Sequence, residues 1–178
     1  MKQYHEPLMT AEGALELLSL FDMHHIEVIV DGGWAVDALL GEQTRRHVDL
    51  DIAIALQFVP SVRILLAGLG YTDILLEDTS EFNFVLGDKH GRRVDIHIYA
   101  FDEQGNLVYG LPYPFESLQG HGNILGYPVR CITPEWLVKF HTGYPLDEKD
   151  LQDVRAICMR FGIKMPDEYG RFADKKGE

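Results

Sequence analysis

The stretch Asp31-Gly32-Gly33-Trp34-Ala35-Val36-Asp37-Ala38-Leu39-Leu40-Gly41, followed by Thr44-Arg45-Arg46-His47-Val48-Asp49-Leu50-Asp51-Ile52-Ala53-Ile54, decides how the chain is read. The apolar run Ile26 to Val30 before it reads as a strand, and Asp31-Gly32-Gly33 breaks the extended backbone. Trp34 to Leu40 is then a short apolar helix stopped at Gly41. Val48 to Ile54 alternates strictly, so Asp49 and Asp51 are expected to share one face of a second strand. The unit is therefore strand, glycine turn, helix and acidic strand.

Each part has a chemistry. A glycine turn at a helix N-terminus presents free N–H groups and the positive end of the helix dipole, which suits phosphate. Arg45, Arg46 and His47 add basic groups between the turn and the acidic strand. Farther on, Arg93 to Tyr99 alternates again, with Val94, Ile96 and Ile98 on one face and Asp95, His97 and Tyr99 on the other. Asp49, Asp51 and Asp95 on one sheet face repel one another unless a cation offsets the repulsion. Hard oxygen ligands suit Mg2+ completed by phosphate oxygens and water. A solvated sheet face and a plain strand-to-helix turn are the simpler alternatives for each feature alone. Their joint occurrence favours a metal–phosphate site.

Around this unit, Thr10 can cap a helix to about Met23, and Pro60 opens a helix to about Leu69. Tyr71 to Leu76 and Glu81 to Leu86 read as strands, with Gly87 to Gly91 a hairpin turn into the Asp95 strand. Residues 102–130 are rich in Gly, Pro and Tyr and read as a long ordered loop with short strands, able to wall a pocket. Thr133-Pro134-Glu135 starts a helix to His141, and Asp147 to Phe161 is another, closing at Gly162. The spacing of Trp136, Phe140 and Tyr144 reads as core, the acids Glu148, Asp150 and Asp153 as a solvated helix face, and the polar tail from Asp167 as frayed.

The 178 residues carry 16 Lys+Arg against 28 Asp+Glu, a net charge of −12, which argues against nucleic acid or an anionic membrane as partner. No apolar run approaches the ~18 residues of a membrane span, and the start lacks the apolar core of a signal peptide, so a cytoplasmic protein is expected. Cys131 and Cys158 stand far apart without metal-finger spacing and read as buried thiols.

Asp31 to Asp37 and Thr44 to Asp51, with Val94-Asp95-Ile96-His97, Cys131-Ile132-Thr133-Pro134-Glu135, Phe140-His141-Thr142-Gly143-Tyr144, Glu148-Lys149-Asp150 and Asp153-Val154, resemble the small antibiotic nucleotidyltransferases of the polymerase-β-like superfamily. Among these the chain is similar above all to the short lincosamide nucleotidyltransferases and, less closely, to the aminoglycoside 2''-nucleotidyltransferases. The resemblance runs over about residues 10 to 160 and implies an α+β fold: a mixed β-sheet flanked by helices, with a short C-terminal helical segment. It implies a nucleotidyltransferase core over residues 1–101, with residues 102–178 as a C-terminal loop and helical part packed against it.

The same resemblance implies that Asp49 and Asp51 hold metal, and that Asp95 completes the metal site and acts as general base. It implies that Gly32 and Gly33 hold the β- and γ-phosphates, and that Arg45 and His47 belong to the nucleotide site. His47 has a structural hydrogen-bonding role as its alternative, and His97 could orient Asp95 or touch substrate. The implied reaction is Mg2+-dependent transfer of AMP from ATP to a lincosamide hydroxyl. The alternatives are the same transfer to an aminoglycoside and a non-catalytic nucleotide-binding or toxin–antitoxin partner, against which the intact acids argue. The segment from Gly105 to Gly126 is expected to shape the acceptor pocket, and the small C-terminal part suggests that a homodimer encloses it.

Overall fold

In the computed structural model, residues 8–174 are described. Thr10 caps the first helix, α1 (Ala11–Met23), by accepting from the Gly13 N–H at 3.1 Å. Its apolar stripe of Ala14, Leu17, Leu18 and Phe21 is buried against the sheet. Strand β1 (Val28–Val30) then runs into α2 (Gly32–Leu40), which ends on Gly41 in the left-handed region at φ 79°. Strand β2 (Leu50–Ala55), α3 (Val59–Gly68) and three strands, β3 (Thr72–Ile74), β4 (Asn83–Gly87) and β5 (Arg93–Phe101), follow.

The region read as a long ordered loop with short strands contains β6 (Leu107–Gly110), β7 (Gly120–Ile124) and β8 (Tyr127–Cys131). Leu125 and Gly126 join the last two with positive φ at both positions, 53° and 79°, the backbone a two-residue hairpin turn demands. Helices α4 (Pro134–Phe140), α5 (Glu148–Phe161) and α6 (Asp167–Asp174) complete the chain. The expected frayed tail is thus helical as far as Asp174, and Tyr169 is 0% exposed, its hydroxyl donating to the His141 carbonyl. Lys175 to Glu178 lie outside the described residues.

All eight strands form one mixed sheet in the order β3-β4-β5-β2-β1-β8-β7, with β6 on the far half of β5. Strands β2 and β5 pair in parallel, from Leu50 opposite Val94 to Ala55 opposite Tyr99, while β1 runs antiparallel to β2. The N-terminal ends of β2 and β5 therefore meet the C-terminal end of β1, where α2 begins. Leu50, Ile52, Ile54, Ile96 and Ile98 from the two central strands are fully buried. Complete burial of each such side chain contributes about 1.5–3 kcal/mol and pins the register. Helix α2 packs on β7 and against α4 and α5, so residues after Phe101 share the sheet and the core with those before it. Both cysteines are buried thiols, and burial pushes the Cys131 thiol up to about 12. Among the described residues no helix is long and apolar enough to cross a membrane.

Candidate active site

Parallel pairing sets Asp51 directly opposite Asp95, and the odd-numbered residues of β5 bring His97 to the same face. One ligand atom from each of Asp51, Asp95 and His97 lies within 4.8 Å of the others, a group that could hold a metal ion. Asp49 does not lie on the strand. Its backbone precedes β2, whose pairing with β5 begins at Leu50 opposite Val94. It is half-buried, and its charge reaches Asp51.

The electrostatics are those of clustered acids that one neighbouring cation, His97, only partly offsets. Burial pushes the Asp51 carboxyl well above the usual range, and Asp49, Asp95 and Asp31 push the same way against the pull of His97. Asp95 is raised by burial too, with Asp49, Asp78 and Asp31 adding to it and His97 opposing. Asp95 Oδ1 is buried with no hydrogen-bond partner. A buried carboxylate oxygen without a hydrogen-bond partner, among acids that repel one another, fits a hard divalent cation.

His97 is the local cation. Burial would lower it, yet Asp31, Asp95 and Asp51 raise it to about 9. Its Nδ1 lies 2.8 Å from the Tyr113 hydroxyl, which donates to Asp31 Oδ2 at 2.5 Å. Its Nε2 lies 3.5 Å from Asp95 Oδ1. Asp31 is the N-cap of α2 and accepts from the Gly32 N–H at 2.7 Å. Burial acts to raise Asp31, but His97, Tyr113 and that N–H outweigh it and hold the carboxyl low. Neither Asp31 nor Tyr113 was singled out from sequence as a site residue. The Asp31–Tyr113 contact spans 82 residues and leaves no local signal.

The two glycines are demanded by close approach. Gly32 has φ +57°, and a Cβ there would stand 2.3 Å from Asp51 Oδ2. A Cβ on Gly33 would stand 2.4 Å from Arg45 Nη2 and 2.6 Å from the His47 ring. The glycine turn thus meets one acid, Asp51, and two of the three basic residues named with it, Arg45 and His47. Arg45 donates through Nε and Nη2 to Asp153 on α5, at 3.0 and 2.7 Å, while its Nη2 edge rests on Gly33. Asp153 is therefore not part of a solvated face.

His47 is buried, with Nε2 2.5 Å from Asp37 Oδ2 and its ring 4.4 Å from that of Trp34. Thr44 donates to the other Asp37 oxygen through its N–H and hydroxyl, at 2.9 and 2.6 Å. Asp37 thereby fixes the whole 44–47 segment against α2.

Beside Asp51 and His97 opens a pocket of about 290 Å³ walled by Leu111, Pro112, Tyr113 and Phe140. Leu111, Pro112 and Tyr113 fall within the segment expected to shape an acceptor pocket, and Phe140, read as core, joins them. Tyr144 is 42% exposed and donates to Asp150. A larger cleft of about 570 Å³ between α1, β1 and β8 contains none of the expected site residues.

The sequence model of a family described as Aminoglycoside-2''-adenylyltransferase matches residues 14–157. A lincosamide resistance protein of Staphylococcus haemolyticus is 29% identical over 154 residues, which cover 84% of this chain and 94% of the relative. A 2''-aminoglycoside nucleotidyltransferase of Escherichia coli is 25% identical over 156 residues, covering 84% and 86%. Among solved structures, the lincomycin-bound lincosamide antibiotic adenylyltransferase LnuA superposes with a TM-score of 0.74 at 26% identity, covering 88% of this chain and 99% of that one. The enzyme ANT(2'')-Ia in complex with adenylyl-2''-tobramycin shares the fold with a TM-score of 0.71 at 21% identity, covering 85% and 89%. The chain belongs to the aminoglycoside-2''-adenylyltransferase family and is a small nucleotidyltransferase of the antibiotic-modifying kind.

Proposed function

We propose that the protein transfers AMP from ATP to a hydroxyl of a lincosamide antibiotic and so gives resistance to it. The observation that carries the reading is the in-register pair Asp51 and Asp95, with the Asp95 Oδ1 atom left without a donor, next to the Gly32-Gly33 turn. Asp49, Asp51 and Asp95 would hold Mg2+. When bound, Mg2+ neutralises charge developing on the phosphate oxygens.

The chain's own groups account for the rest. The first turn of α2, at Gly32 and Gly33, faces the β- and γ-phosphates with its dipole. Arg45 adds positive charge against Gly33, and His47, held by Asp37, keeps the segment that carries Arg45 in place. Asp95 accepts the proton of the acceptor hydroxyl as that oxygen bonds to the α-phosphorus and the bond to pyrophosphate breaks. Tyr113 and Asp31 orient His97 beside it.

The pocket walls favour a lincosamide over an aminoglycoside. Leu111, Pro112, Tyr113 and Phe140 offer apolar and aromatic surface opposite Asp31, Asp51, His97 and His141, which suits an acceptor that has an apolar face and a single amine. The net charge of −12 belongs to the whole surface and does not outweigh the local lining. Mass spectrometry of protein with ATP, Mg2+ and a panel of lincosamides and aminoglycosides tests this. An AMP mass gain on lincosamides is expected. No gain on any member, with no ATP binding by calorimetry, refutes the enzyme reading, and a gain confined to aminoglycosides refutes the substrate. The homodimer is part of the same proposal, and a monomer by light scattering at micromolar concentration removes it.

A further inference from the structure

We propose that Asn83 contacts the acceptor: its amide oxygen accepts a hydrogen bond from the hydroxyl next to the one that receives the nucleotidyl group. The proposal rests on the function just given. Asn83 opens β4 and is the antiparallel partner of His97 on β5. Ile98 N–H donates to the Phe82 carbonyl at 2.9 Å, which makes Phe82/Ile98 a hydrogen-bonded pair and Asn83/His97 the non-bonded pair that follows. In such pairs the Cα atoms approach to about 4.5 Å and the side chains stand side by side on one face. That face is the one carrying Asp95, His97 and Asp51.

The orientation of the Asn83 amide is fixed by its other end. Its Nδ2 faces the carboxylate and the carbonyl of Asp78, at 3.4 and 3.5 Å, and both are acceptors, so the NH2 must point there. Oδ1 is left on the other side, buried and without a hydrogen-bond partner. A buried acceptor without a donor is unfavourable and calls for a ligand group that supplies one. Asp95, across the diagonal from Asn83 and opposite Val85, has an orphaned oxygen of its own. The two orphaned oxygens come from neighbouring strands on one face of the sheet, so adjacent hydroxyls of one ring can serve one each.

The acceptor class is therefore a vicinal diol, one hydroxyl at Asp95 and its neighbour at Asn83. A neutral amide oxygen favours a neutral hydroxyl at the second position, whereas a carboxylate there would favour an ammonium group.

Calorimetric binding of lincomycin and of tobramycin to wild type, Asn83→Leu and Asn83→Asp tests the contact. Asn83→Leu, branched at the same carbon but without the acceptor, is expected to weaken lincomycin binding about tenfold while ATP affinity stays within about twofold. Asn83→Asp is expected to shift the lincomycin-to-tobramycin affinity ratio toward tobramycin. Unchanged lincomycin affinity in Asn83→Leu overturns the assignment. Should that variant fail to fold, an unchanged ratio in Asn83→Asp overturns it equally. A wild-type protein that binds lincomycin but transfers no nucleotide to it removes the functional reading alone, because the contact is read from binding.

Discussion

Replacing Asp153 by alanine takes from Arg45 the carboxylate it holds through three contacts, at 3.0, 3.1 and 2.7 Å. The Asp153 side chain is 2% exposed and that of Arg45 20%, so the pair is shielded from solvent and salt. Removing one partner of a buried pair costs about 3–5 kcal/mol because the other charge stays behind. Asp37 and Asp51 still attract the Arg45 guanidinium, which places the loss at the lower end, about 3 kcal/mol. For a domain of this size that is a fall in Tm of roughly 6–12 °C. Urea unfolding gives the same quantity directly as a lower midpoint at unchanged slope. Arg45→Met with Asp153→Leu replaces both charges by apolar groups and should recover most of the loss. A loss below about 1 kcal/mol in Asp153→Ala, the size seen for exposed pairs, would refute the claim that this contact clamps α5 onto the glycine turn.

Gly32→Ala should weaken ATP binding at least tenfold by calorimetry, since its Cβ would meet Asp51 Oδ2 at 2.3 Å on a backbone with φ +57°; wild-type affinity would contradict the close approach. Asp51→Asn should abolish transfer while leaving the metal-free protein as stable as wild type or more so, because burial and Asp49 already oppose the charged form; a lower Tm measured in EDTA would sink this account. For Asp88, burial acts to raise the carboxyl, but hydrogen bonds from the Arg92 side chain and from the Arg92 and His90 N–H groups hold it below its ordinary value. A depressed carboxyl stabilises above its unfolded pKa of about 3.9 and loses that contribution as pH falls through the folded value. Asp88→Asn should therefore destabilise at neutral pH and flatten the stability curve below pH ~4, and an unaltered acid limb would count against it.

Alternation was a sound guide where both neighbours of a strand continue. Arg93 to Tyr99 reads with period two and is β5, so Asp95 and His97 were placed on one face from sequence. It overran at Val48 and Asp49, where the residue pattern persists but the ladder with β5 has not yet begun. In residues 102–130 the expected short strands are present as β6, β7 and β8, but composition hid what the glycines do. The glycines there mark tight packing as much as turns: a Cβ on Gly122 would lie 2.3 Å from the Ala38 carbonyl, so glycine is what lets α2 settle onto β7. The partners of the site residues were illegible for a third reason. Arg45 to Asp153 spans 108 positions, and neither end carries a local signature that distinguishes a clamp from a surface charge. Asn83 lay in a run read correctly as a strand, but only the pairing register with β5 shows which residue it faces.

The parallel β2–β5 ladder also bears on how the chain reaches its native state. Two strands that must pair in parallel cannot be joined by a tight turn, and here the intervening chain carries α3, β3 and β4. Closing so long a loop costs entropy before any long-range contact repays it, so this step is slow compared with helix formation. Within that ladder a slip of one residue would turn one of the two facing carboxylates to the opposite side of the sheet. Divalent-metal affinity that appears during refolding would then time the arrival of native register, later than the gain of helical signal, and so serve as a clock for the last step of assembly.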